Sequence, residues 1–207
     1  MKKKTSIIIV DDQRLYRQSL GSSLSEFNIQ VIGEAENGLQ LFELLKIRTA
    51  DVILLDVEMP EMNGSETLDS IRRVMPACKV IIVSQYNDEI LMRDFMSRGA
   101  NAFITKNTDI AIIADAIQKV HATGTSDAPA ENAEQGKKAL FNKREREIIL
   151  LACKGKQVKD IGLDLSISPK TVETHLTDIY KKLGVKNRAE FLIFAVKEGL
   201  NYLGTGE

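Results

Sequence analysis

The sequence predicts a five-stranded, parallel, doubly wound α/β domain followed by a small all-α domain. Three observations carry this reading. Five short β-branched runs alternate with helical spacing over residues 1–121, the stretch 122–139 has no large apolar side chain, and residues 140–207 carry helical spacing alone. The runs Ser6–Val10, Gln30–Ile32, Val52–Leu55, Val80–Val83 and Ala102–Ile104 are continuous rather than alternating, as parallel strands covered on both faces require. Arg14–Glu26, Leu39–Ile47, Glu66–Val74, Glu89–Arg98 and Ile110–Val120 repeat apolar residues at helical intervals. Residues 122–139 cannot pack a core and read as a linker.

With 207 residues and 43% hydrophobic content, each of the two domains can bury a core. No apolar run approaches the ~20 residues of a spanning helix, which excludes a membrane-spanning role. Lys2, Lys3 and Lys4 resemble the start of a secretion signal, but Asp11 and Asp12 close the apolar stretch too soon. Cys78 and Cys153 cannot build a disulfide framework, and a reducing cytoplasm is the expected location. Charge is uneven: the net is −3 over residues 1–121 and +3 over 140–207. A basic rear segment suits phosphate backbones.

In a doubly wound sheet, function gathers at the carboxyl ends of the strands. Asp11 and Asp12 follow the first strand, and Asp56 follows the third, its expected neighbour. Three carboxylates on one rim repel one another unless a cation neutralises them, and hard oxygen ligands suit Mg²⁺. Ser84 and Lys106 end two more strands at the same rim. A carboxylate nucleophile, a metal on the phosphoryl oxygens, an ammonium and a hydroxyl together describe a phosphoryl-acceptor site. Taken singly, a strand-ending Asp is as readily a turn or cap residue.

Asp11-Asp12, Leu54-Leu55-Asp56-Val57-Glu58-Met59-Pro60, Asn63-Gly64, Ser84 and Lys106 resemble the flavodoxin-like receiver domain of two-component response regulators. The resemblance implies that Asp56 accepts phosphate from a sensor histidine kinase. It also implies that Asp12 and Asp56 ligate Mg²⁺, that Asp11 supports it through water, and that the Glu58 backbone carbonyl completes the shell. Ser84 would swing toward the phosphoryl group, and Phe103 would follow inward as the switch aromatic. Glu58 and Tyr86 stand where the family gates water, and equally read as ordinary loop residues. Asn107 follows Lys106 where the family often has proline, and a cis bond there would cost ~3 kcal/mol without it.

Residues 157–182 read as helix, turn, helix. Val158, Ile161 and Leu165 form one apolar stripe, Ser166-Ile167-Ser168 the turn, and Ser168-Pro169 a cap with proline at the first helical position. In the second helix Val172, Leu176, Ile179 and Leu183 face the core, so Lys170, Thr174, Thr177 and Lys181 face away. With Thr171 and Glu173 they form the candidate contact set for double-stranded DNA, Glu173 able to accept from a cytosine amino group. A merely solvated face is the alternative. Phe141 to Glu147, Ile167 to His175, Lys182 to Val185 and Asn187-Arg188 resemble the LuxR-type helix-turn-helix. Asn142 with Glu145, and Asn187 with Glu190, are expected to form capping boxes. The whole chain resembles a NarL/FixJ-type response regulator.

Phe191-Leu192-Ile193-Phe194-Ala195-Val196 is apolar around its full circumference. A small domain covers one side of such a helix, so the other side expects a second copy of the chain or the front domain. Motifs of nucleotide-binding or serine-hydrolase enzymes are absent. A halo-acid-type phosphatase would need Asp two residues after Asp56, where Glu58 stands. The expectation is a phosphorylation-switched, dimerising transcription regulator with at most slow self-dephosphorylation. Constitutive DNA binding and a protein-interaction output are the rivals.

Overall fold

In the computed structural model, residues 4–87, 89–125 and 140–203 are described. The front half alternates β1 (Thr5–Val10), α1 (Arg14–Leu24), β2 (Ile29–Ala35), α2 (Gly38–Leu45), β3 (Val52–Asp56), α3 (Gly64–Val74), β4 (Val80–Ser84), α4 (Glu89–Ser97), β5 (Ala102–Thr105) and α5 (Ile110–Thr123). All pairings are parallel, in the order β2-β1-β3-β4-β5. Side chains alternate between the two faces of each strand. Ile8, Val10, Ile53, Leu55, Ile82 and Phe103 pack with α2, α3 and α4, whereas Ile7, Ile9, Leu54, Ile81 and Val83 pack with α1 and α5.

Two boundaries differ from the sequence expectation by three residues. β2 runs on past Ile32 through Gly33 and Glu34 to Ala35, and its register with β1 slips between Ile7 and Ile8. Gly33 hid this continuation, because glycine is depleted in strands. Helix α5 takes in Ala122 and Thr123, and Gly124 ends it in the left-handed conformation. Residues 126–139 of the expected linker lie outside the described residues.

The rear half comprises α6 (Lys143–Cys153), α7 (Val158–Asp164), α8 (Pro169–Leu183), α9 (Arg188–Lys197) and an unforeseen 3₁₀ turn, Leu200–Tyr202. Asn142 and Glu145 form the expected capping box, and Ser168 caps α8 ahead of Pro169. Asn187 accepts the Glu190 N–H at 3.0 Å, but the second half of its box does not form. The Glu190 carboxylate takes the Lys186 N–H and the Asn187 side-chain amide instead. Between α7 and α8 the turn is tight: a Cβ on Gly162 would fall 2.8 Å from the Ile167 carbonyl oxygen.

The two halves meet along α4. Asp94, buried on α4, lies 3.0 Å from Arg98 and 3.1 Å from Arg146 of α6. Leu200 and Leu203 are buried beside this seam. Replacing Arg146 by Met removes one of the two cations facing a buried carboxylate. That change is expected to lower stability by about 2 kcal/mol in urea unfolding, whereas Lys159→Met on the exposed side of α7 should change little.

Candidate functional site

β1 pairs with β2 on one side and β3 on the other, so the chain reverses its winding direction at the β1–β3 edge. Asp11 leaves β1 there and Asp56 ends β3. The carboxylate oxygens of Asp11, Asp12 and Asp56 lie within 4.8 Å of one another. Asp11 and Asp56 are only 2% and 3% exposed, while Asp12 is open to solvent. From the end of β5, the Lys106 ammonium reaches 2.7 Å from Asp11 Oδ2 and 2.8 Å from Asp56 Oδ2. Backbone donors hold the outer oxygens: Gln13 N–H to Asp11 at 2.8 Å and Val57 N–H to Asp56 at 2.8 Å. Gly64 lets α3 begin directly against this edge, since a Cβ there would sit 2.1 Å from the Asp56 carbonyl oxygen.

Burial raises the Asp56 carboxyl to about 7, helped by the Asp11 charge and opposed by Lys106. Burial works against the Lys106 charge, but Asp56 and Asp11 hold its pKa above the ordinary value. The donor set is oxygen only, with carboxylates from two adjacent strand ends. That is the chemistry of a hard divalent cation such as Mg²⁺, and these residues fit one.

The remaining rim residues are arranged as follows. Ser84 ends β4, is fully buried, and accepts the Tyr86 N–H at 3.0 Å. Phe103 is buried, with its ring 6.1 Å from Phe95. The Glu58 side chain turns away toward Gln85, Tyr86 and Tyr202. No described peptide bond is cis. Three contributors escaped the sequence reading. Arg17, buried, donates to the Asp11 carbonyl at 2.5 Å and pairs with Glu34 at 3.1 Å. The ring of Tyr16 lies 4.9 Å from the Lys106 ammonium, and burial, with Asp11 and Asp56, pushes its hydroxyl up to about 12. Tyr202 comes from the far end of the chain. Arg17 and Tyr16 fall within α1 with no motif to mark them.

On α8, Lys170, Thr171, Glu173, Thr174, Thr177 and Lys181 are all exposed, opposite the buried Val172, Leu176 and Ile179. The Thr174 and Thr177 hydroxyls donate to the Lys170 and Glu173 carbonyls at 3.0 and 2.8 Å, one turn back along the helix. His175 is half-buried, as a packed helix residue would be.

Residues 7–118 match the response regulator receiver domain, and residues 139–195 match bacterial regulatory proteins of the luxR family. The chain belongs to the response-regulator family. This response regulator is 32% identical over 206 residues to the transcriptional regulatory protein LiaR of Bacillus subtilis, covering 94% of the chain and 98% of LiaR. It is 30% identical over 215 residues to LnrK of the same organism, with the same coverage. RcsB of Salmonella enterica serovar Typhimurium, solved on the promoter rprA with a phosphomimetic, superposes with a TM-score of 0.69 at 22% identity, covering 93% and 99% of the two chains. ChrA, of a heme-sensing two-component system, superposes with a TM-score of 0.52 at 27% identity over 96% and 99%. Both share the two-part architecture, and no described helix of this response regulator is long and apolar enough to cross a membrane.

Because the folded-state pKa of Asp56 is raised, its contribution favours folding at low pH and is lost as pH climbs through about 7. Asp56→Asn removes the buried charge. Without divalent ions, the variant is expected to exceed the parent in urea stability at pH 8 by roughly 2 kcal/mol, with the gap closing toward pH 5. Added Mg²⁺ should stabilise the parent and leave the variant almost unmoved.

Proposed function

We propose that this response regulator takes a phosphoryl group on Asp56 from the phosphohistidine of a sensor histidine kinase and thereby switches dimerisation and sequence-specific binding of duplex DNA. The observation that carries the reading is the single Lys106 ammonium shared by the buried Asp11 and Asp56 carboxylates. That arrangement leaves a nucleophile beside a cation able to move to a phosphoryl oxygen. An Asp56 oxygen attacks phosphorus, and the P–N bond breaks with its electron pair returning to the imidazole. Lys106 then pairs with a phosphoryl oxygen, Ser84 turns its hydroxyl from the Tyr86 N–H to another, and Phe103 follows inward. Asp11, Asp12, Asp56 and the Glu58 carbonyl would hold Mg²⁺, which would supply neutralisation of the phosphoryl charge.

Glu58 occupies the place of the second Asp of a halo-acid phosphatase, and its carboxylate is bound by Gln85. The site therefore serves as an acceptor with at most slow self-dephosphorylation, and the protein is a regulator rather than an enzyme. On the output side, Lys170 and Lys181 would meet phosphates while Thr171, Glu173, Thr174 and Thr177 face base edges. Mutual attraction with DNA requires no membrane, and a cytoplasmic location fits two unpaired thiols. On α9, Ile193 and Val196 are 72% and 71% exposed, an apolar pair suited to a second copy of the chain. Phe194, by contrast, is half-buried and packs against the hydrophobic core.

Fluorescence anisotropy of genomic duplex fragments across a salt series tests the switch, with and without Mg²⁺ and acetyl phosphate. Binding should tighten about tenfold or more on phosphorylation and fall steeply with salt, and Asp56→Asn should abolish the gain. Binding indifferent to phosphorylation would demote the front domain to a passive module. Sedimentation velocity tests α9: Ile193→Glu should leave the phosphorylated chain monomeric, and an unchanged dimer would assign the contact elsewhere.

A further inference from the structure

We propose that Tyr202, supplied by the DNA-binding half, is a positioning residue of the phosphoacceptor site that holds the rim in its unphosphorylated arrangement. This rests on Asp56 being the acceptor. Past α9 the chain forms the 3₁₀ turn Leu200–Tyr202, anchored by the buried Leu200 and Leu203. From it the Tyr202 hydroxyl donates to Glu58 Oε1, and its ring lies 5.9 Å from the Tyr86 ring at 40°. The other oxygen of the same carboxylate takes Gln85 Nε2 at 2.7 Å and the Tyr86 hydroxyl at 3.3 Å.

Glu58 lies two residues beyond Asp56, and Tyr86 two beyond Ser84. One carboxylate therefore ties the loop after β3 to the loop after β4, and Tyr202 ties both to the rear half. Ser84 accepts the Tyr86 N–H at 3.0 Å, so bringing its hydroxyl to a phosphoryl group breaks that bond and displaces the Tyr86 backbone. The Tyr86 ring cannot follow freely, because it packs at a tilt against Tyr202 and a Cβ placed on Gly199 would already lie 3.1 Å from it. Holding the rear half in place and moving Ser84 are therefore opposed, and the opposition is reciprocal: phosphorylation loosens the C-terminal turn. The contact leaves Lys170, Thr174, Thr177 and Lys181 exposed, so it acts on the chemistry at Asp56 rather than by covering the DNA-facing helix.

The test uses the full chain with Tyr202→Phe, which keeps the ring and removes the hydroxyl. With acetyl phosphate and Mg²⁺, phosphoryl moves to Asp56 and acetate leaves with the P–O electron pair. Loss of one hydrogen bond to a charged group should raise the initial uptake rate roughly three- to tenfold. Hydrogen exchange at residues 84–87, measured without any phosphoryl donor, should accelerate by a similar factor. In a Glu58→Gln background, where the carboxylate is gone, Tyr202→Phe should add less than twofold to uptake. Uptake and exchange both within twofold of the parent would overturn the proposal, as would a full gain that persists beside Glu58→Gln. A parent chain that takes up no more phosphoryl than Asp56→Asn would instead overturn Asp56 as the acceptor. The exchange result at residues 84–87 would then still decide whether Tyr202 holds the rim.

Discussion

One ammonium shared by two buried carboxylates is the constraint on which the structure depends. A parallel sheet delivers the carboxyl ends of all its strands to one edge, and adjacent β1 and β3 bring Asp11 and Asp56 into each other's field. Two carboxylates this deeply buried would be intolerable alone, and Lys106 makes them tolerable only partly, as the elevated Asp56 pKa indicates. The apolar faces of the sheet supply the burial energy that holds the edge together against this repulsion. An edge kept under electrostatic load responds strongly to any added cation or anion. That responsiveness is what a phosphoryl-driven switch needs.

Helix α4 is the element through which such a response would travel. Its Phe95 packs against Phe103, its Asp94 faces Arg146 of the rear half, and its Leu91 lies beside Gly199. A shift of the Phe103 ring therefore bears on the same helix that carries the docking ion pair and the seat of the C-terminal turn. Packed interiors move between discrete arrangements rather than deforming smoothly, so these contacts change together.

The parts of this architecture legible from sequence are those encoded locally. Strands buried on both faces announce themselves as continuous β-branched runs, and a residue directly after such a run must stand at the sheet edge. That is why Asp11, Asp12, Asp56, Ser84 and Lys106 could be gathered from four separate strand ends. The core stripe of α8 likewise dictated which of its residues face outward. Features set by tertiary contact were not legible. β2 continues through Gly33 because β1 offers it partners, not because of its composition. Glu190 bonds to Lys186 rather than closing its box, a choice between two nearby donors that spacing does not decide. Over residues 191–196 of α9 every position is apolar, and only packing separates the half-buried Phe194 from the exposed Ile193. Tyr202 lies beyond the last periodic segment, and its partner Glu58 is 144 residues away.

The seam between the halves sets a buried ion pair among apolar contacts. Asp94 lies between Arg98 and Arg146 at 3.0 and 3.1 Å, close ion pairs rather than well-aligned hydrogen bonds. A buried pair of this kind adds little net stability, because the desolvation cost of the ions offsets most of their attraction. Its geometry is nonetheless demanding, since moving Asp94 alone leaves the buried Arg146 guanidinium without its carboxylate. When the halves part, however, Arg146 and Asp94 both regain water, and Asp94 keeps Arg98 beside it. An apolar seam would lose about 25 cal/mol for every Å² re-exposed and recover nothing. The ion pair thus defines one docked arrangement while adding little of its own to the energy of separation. Within such a balance, a few kcal/mol of altered bonding around Asp56 would shift the population between docked and parted halves.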